Sequence, residues 1–152
     1  MPHPQIQQHD FDRALVKQME LYDEILSSRM RPFADGVKAF PRMVRDLARE
    51  EFAPLAMEID ATKAFPGENL QKLAELGLMG MMVPPEYDGS GADTVSYVLA
   101  LSEVAYACAS TAVVMSVHNS IVCESILKFG SATQKEKYLK PLARGEFIGA
   151  FA

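Results

Sequence analysis

Ser110 to Gly130, STAVVMSVHNSIVCESILKFG, is a stretch with almost no polar face. Val113, Val114, Met115, Val117, Ile121, Val122, Cys123, Ile126 and Leu127 wrap most of the circumference of any helix built on it. A helix apolar nearly all round is buried on several sides. The spacing therefore predicts an interior rod over Ser110–Phe129, stopped by Gly130, with other helices packed around it.

Reading toward the C-terminus, GSATQKEKYLKPLARGEFIGAFA (Gly130–Ala152) opens with Ser131-Ala132-Thr133-Gln134, the spacing of a capping box. The helix it starts carries Tyr138, Leu139, Leu142 and Ala143, takes Pro141 internally, and ends at Gly145. Phe147 to Ala152 is short, apolar and β-prone. It predicts the opening of a strand whose backbone would lack a partner, as if it began a missing β-domain.

Upstream, Asp93 or Thr94 caps a helix whose apolar face is assigned to Val95, Val98, Leu99, Leu101, Ala105 and Tyr106. LMGMMVPPEYDGSGAD (Leu78–Asp93) precedes it, and Pro84-Pro85, Gly89 and Gly91 exclude a continuous helix there. A further helix follows Phe65-Pro66, carries Leu70, Leu73, Ala74 and Leu76, and stops at Gly77. The first rod of this region runs from Pro41 to Ile59. Val44, Leu47, Ala48, Phe52, Leu55 and Ile59 form its stripe, Arg42, Arg45, Asp46, Arg49, Glu50 and Glu58 face water, and Pro54 bends it. Residues 1–35 differ in composition and predict one amphipathic helix, Asp10–Ser28. The expectation is an all-α antiparallel bundle of five or six helices with a short terminal strand. Its divisions are 1–35, 36–146 and 147–152.

The 152 residues suffice for one domain with a real core. A net charge of -5, with both signs interspersed, argues against nucleic acid, which demands a basic stripe. Cys108 and Cys123 sit in apolar helical patterns away from any Cys/His cluster, so they read as buried reduced thiols. No run approaches roughly 18 uninterrupted apolar residues, so no membrane span is expected. Asp10, Asp12, Glu20, Asp23 and Glu24 make the first 30 residues unlike a secretory signal or an acid-poor transit peptide. A bacterial cytoplasm is the first expectation for location and a mitochondrial matrix the second.

Motifs for nucleotide, metal or nucleophile chemistry are missing: no Walker loop, no GxGxxG after a strand, no HExxH, no nucleophile elbow. His118 has no second histidine in the helical region to share a metal with. It reads as a core or pocket-lining histidine bonded to a neighbouring helix; the sharper alternative makes His118 and Asn119 polar points in an apolar ligand slot. Met79, Met81 and Met82 read as core, with soft ligand lining as the alternative. Composition and spacing alone name no reaction.

Three segments in consistent order resemble the N-terminal helical domain of the acyl-CoA dehydrogenase family. They are MVRDLAREEFAPLAMEID (Met43–Asp60), LAELGLMGMMVPPEYDGSGAD (Leu73–Asp93) and SVHNSIVCESILKFGSATQKEKYLKPLARGEFIGAFA (Ser116–Ala152). The resemblance implies a three-domain FAD enzyme, usually a homotetramer, that desaturates an acyl-CoA thioester and passes electrons to electron-transfer flavoprotein. A short- or medium-chain acyl group, branched ones included, is implied. The family's glutamate base lies beyond this chain in most members, so no catalytic residue is assigned. Val114, Val117, His118 and Ile121 match the stretch that lines the acyl slot, and Phe151 and Ala152 match the opening of the segment against the flavin. Two other readings stay open. One is a non-catalytic helical interaction module that oligomerises or docks on a flavin-binding chain; the other is an acyl-CoA oxidase or flavin monooxygenase relative. The 152-residue piece alone is expected to be inactive and to hold FAD poorly.

Overall fold

The computed structural model of the protein describes residues 42–151, together with Lys17. The chain separates into two compact units, residues 1–38 and 39–152. The helix expected over Asp10–Ser28, the start at Pro41, and Ala152 lie outside the described residues.

Five helical rods follow one another: α1 (42–62), α2 (Gly67–Glu75), α3 (Thr94–Ala107), α4 (Ala109–Phe129) and α5 (132–143). Their ends are set by local chemistry. Ser96 N–H donates to the Asp93 carboxylate at 2.7 Å, capping α3. Ser131 and Gln134 form the reciprocal capping box of α5, with bonds of 2.8 and 3.3 Å. Gly145 closes α5 at φ +73, and a Cβ there would stand 2.4 Å from the Ala74 Cβ, so only glycine fits both the turn and the contact with α2.

Both internal prolines sit two residues past a five-residue π-helical turn. Ala48–Phe52 precedes Pro54, and Lys135–Leu139 precedes Pro141. A proline ring clashes with the carbonyl four residues back and offers no N–H to it. Widening the preceding turn moves that carbonyl aside, so each rod continues past its proline.

The main core gathers Val44, Ala48 and Phe52 of α1, Leu70 and Leu73 of α2, Tyr97, Ala100 and Val104 of α3, and Ala112 and Met115 of α4. Leu78, Met79 and Met81 from the α2–α3 connection join it, so two of the three methionines are core outright and Met82 packs at its edge. A smaller cluster joins Val83, Cys123, Leu139, Leu142 and Ala143 between α4 and α5. Beyond Pro54, α1 has no buried residue.

The structure corrects the sequence reading in three places in this framework. The inward face of α3 carries Tyr97, Leu99, Ala100, Glu103 and Val104, while Val95, Val98, Ala105 and Tyr106 face out. Arg45, assigned to water, reaches inward instead. Its Nε and Nη2 donate to both oxygens of Glu103 at 2.9 and 2.7 Å, a two-pronged pair that lets a carboxylate with 8% exposure sit in the α1–α3 seam. The expected terminal strand is not formed: residues 147–151 have no strand pairing, and no strand occurs among the described residues. A strand exists only through a partner's N–H and C=O groups.

The connection between α2 and α3 is tied to α4 by one side chain. Asn119 Nδ2 donates to Leu78 O at 3.0 Å and Met115 O at 3.1 Å, and its Oδ1 accepts Met81 N–H at 3.0 Å. Both N–H donors and the carbonyl oxygen of this buried amide are used on backbone groups that otherwise have no water to turn to.

Two stability predictions follow from these bonds, both read by urea unfolding monitored by circular dichroism. Asn119→Leu strands a buried N–H and carbonyl and lowers unfolding free energy by about 2–4 kcal/mol; a loss under about 1 kcal/mol contradicts the clamp. Arg45→Met, which leaves the buried Glu103 carboxylate without its fork, costs about 2–3 kcal/mol, whereas Glu103→Gln costs about 1 kcal/mol because Arg45 keeps access to solvent. The reverse order contradicts this account of the seam.

Candidate functional site

Val114, Val117, His118 and Ile121 are spaced three and four apart and share one stripe of α4. The stripe runs from core to surface. His118 is buried, Val114 and Val117 are half-buried with Val114 packed on the main core, and Ile121 is 41% exposed. Beside it Val113 is 62% exposed. The rod is therefore interior on one side only, contrary to the expectation of burial on several sides. Its neighbours α1, α2, α3, α5 and the turn at Leu78–Gly80 cover the arc that holds Thr111, Ala112, Met115, His118, Asn119 and Cys123. The line Val113–Val117–Ile121 is left open. By length and composition α4 could cross a membrane, but it packs as a member of this bundle and buries three polar side chains, Thr111, His118 and Asn119, within it.

The middle of α4, Val117–Cys123, is a π-helical stretch without a proline. Two of its side chains bond to backbone carbonyls of the preceding turn. Asn119 Nδ2 donates to Met115 O and Ser120 Oγ to Ser116 O at 2.7 Å, each taking the carbonyl four residues earlier. Within this stretch the consecutive residues His118 and Asn119 are both buried, at 0% and 2% exposure.

Both ring nitrogens of His118 are engaged by backbone. Gly149 N–H donates to Nδ1 at 3.0 Å, so the proton sits on Nε2, which donates to Leu142 O at 3.0 Å. That tautomer is assigned from the bonding partners. Burial pushes the imidazole below the usual histidine range, with the Leu142 and Met79 carbonyls pulling the other way. A neutral ring with both nitrogens spent has no free polar atom for a ligand. It presents no acid or base to a reacting carbon.

Other candidates separate from this stripe. Phe151 is 79% exposed at the end of the described chain. Cys123 is buried, and its thiol is pushed up to about 12 by that burial, with Glu124 adding to it, so it stays protonated. No group of three or more His, Cys, Asp or Glu side chains placed to hold a metal occurs among the described residues. An open surface hollow of about 290 Å³ lies between α4 and α5, lined by Ser125, Ile126, Phe129, Gly130, Gln134 and Tyr138. None of the sequence-assigned site residues lines it. Gly149 was not singled out by sequence, since an N–H donor carries no side-chain signal.

Residues 35–146 match the family described as acyl-CoA dehydrogenase, N-terminal domain. The chain is 44% identical over 110 residues to a short-chain-specific acyl-CoA dehydrogenase of Clostridium acetobutylicum, covering 72% of this chain and 29% of that protein. It is 47% identical over 108 residues to the mitochondrial short-chain-specific acyl-CoA dehydrogenase of Mus musculus, covering 71% of this chain and 26% of that protein. Among solved structures it is similar to butyryl-CoA dehydrogenase from Megasphaera elsdenii, with a TM-score of 0.70, 32% identity, 76% of this chain covered and 31% of that one. The chain thus spans under a third of the length of the relatives it matches. What it shares with them is their helical first domain, and by that match over residues 35–146 the chain belongs to the acyl-CoA dehydrogenase family.

Proposed function

We propose that this chain is the N-terminal domain of an FAD-dependent dehydrogenase acting on short-chain acyl-CoA thioesters, medium and branched acyl groups being the wider class. The observation that carries the reading is the match to short-chain enzymes over the helical domain, together with an uncovered apolar flank on α4. Val114, Val117 and Ile121 supply one apolar wall of the acyl slot. His118 stands behind them as the neutral, bonded floor. Such a wall dehydrates the reacting end of the thioester and holds the chain in line, which a hydride transfer from an unactivated carbon demands.

The residues at the exit of the bundle suit the edge of a flavin in kind. Phe151 and Ala152 offer an aromatic ring and a small residue, and Phe147, Ile148, Gly149, Ala150 and Phe151 are uncharged. They bring no cation for a pyrophosphate, so other residues hold most of the cofactor. FAD, when bound, supplies the hydride acceptor. Electron-transfer flavoprotein as acceptor of the electrons, assembly as a homotetramer, and a bacterial cytoplasm or a mitochondrial matrix as the compartment belong to the same proposal. Bacterial and mitochondrial relatives support the two compartments. The non-catalytic module remains the alternative, since the domain's core closes without any flavin.

Purified with excess FAD, the 152-residue chain is expected to retain no stoichiometric yellow flavin and to reduce no dye with butyryl-CoA. Either activity would overturn the division of labour. In a chimaera joining residues 35–146 to the remaining domains of the Clostridium acetobutylicum relative, Val117→Phe is expected to lower kcat/KM for butyryl-CoA about tenfold or more by filling the slot. An unchanged kcat/KM places the acyl chain elsewhere.

A further inference from the structure

We propose that His118 is a positioning residue. Through Nδ1 it holds the peptide at Gly149 against α4, and so sets the path of residues 147–151 as they leave the bundle. Three observations converge on that peptide. Gly149 N–H donates to Nδ1 at 3.0 Å. A Cβ on Gly149 would come within 2.6 Å of Val122 Cγ1, so the exit backbone lies directly on α4 one turn beyond His118. The ring cannot swing away, because Nε2–H is held by Leu142 O on α5 and the side chain has 0% exposure.

The exit segment has little else to guide it. Glu146 and Phe147 N–H both donate to Pro141 O, at 2.9 and 3.3 Å, which completes the turn after α5. From there to Phe151 the segment is neither helix nor strand, and the bond to His118 is the last one along the chain among the described residues. Half of the device is donor and half acceptor. Nε2 ties the ring to the end of α5, Nδ1 ties the departing chain to the ring, and α4 carries both. The direction in which the backbone reaches Phe151 is thereby set from inside the bundle. That this direction leads to a flavin edge rests on the proposed function; the tether itself does not.

The tether is tested on the 152-residue chain by nitrogen-15 NMR of the imidazole and by amide hydrogen exchange. In the unsubstituted chain, the expected results are a proton on Nε2, an unprotonated Nδ1, and a Gly149 amide protected against exchange. A proton on Nδ1, or a Gly149 amide exchanging at the free-peptide rate, overturns the proposal without any variant. Two substitutions then divide the ring. His118→Gln keeps a donor near the Nε2 position and loses the acceptor, whereas His118→Asn keeps an acceptor near the Nδ1 position and loses the donor. Gly149 exchange is expected to rise roughly three- to tenfold in His118→Gln, the factor of one lost hydrogen bond, and to stay closer to its original rate in His118→Asn. Amides of Ala100 and Val104, remote in the α3 core, serve as the reference. Equal acceleration of Gly149 and the reference amides, or equal Gly149 rates in the two variants, means that His118 serves only general stability and overturns the tether. Failure of the chimaera to turn over acyl-CoA would leave these rates untouched, so the two ideas fall separately.

Discussion

Backbone groups that pack against an apolar rod have no water to bond to. In this domain α4 supplies the partners itself. Asn119 satisfies the turn at Leu78–Met81, and His118 satisfies the end of α5 and the exit peptide. An unmade bond at any of these points would cost roughly 1–3 kcal/mol, a sizeable part of a small domain's stability. Two adjacent polar residues thus satisfy the turn after α2, the last turn of α5 and the exit peptide where they lie on α4.

The adjacent inward residues His118 and Asn119 lie in the π-helical stretch Val117–Cys123. Elsewhere the same wide turn relieves the clash of Pro54 and Pro141 with carbonyls behind them.

The open flank of α4 and its buried polar pair are two sides of one design. The pair draws α5 and the connection after α2 onto one arc of the rod, leaving Val113 and Ile121 exposed with Val117 half-buried between them. On the proposed function this uncovered apolar stripe is the wall for an apolar substrate chain. The spending of both His118 nitrogens on backbone keeps that wall free of a group that could trap a proton.

Much of the domain was legible in the residues. The order of the helices, the caps at Asp93 and Ser131, the stop at Gly145, and the core character of Met79 and Met81 follow from periodicity and capping chemistry, which are local and act within a few residues. The family resemblance was likewise carried by ordered segments of the chain and agrees with the match over residues 35–146. Three things were settled only by tertiary contact. The face of α3 turned inward was misassigned because both faces are apolar, and the choice fell to Tyr97 packing and to the Glu103 carboxylate finding Arg45. The side of α4 left open depends on how many neighbours reach it, which no periodicity contains. The role of His118 depends on Leu142 and Gly149, 24 and 31 residues away, whose contribution is a backbone carbonyl and an N–H. Every residue but proline carries such groups, so only the folded chain can say which of them meet.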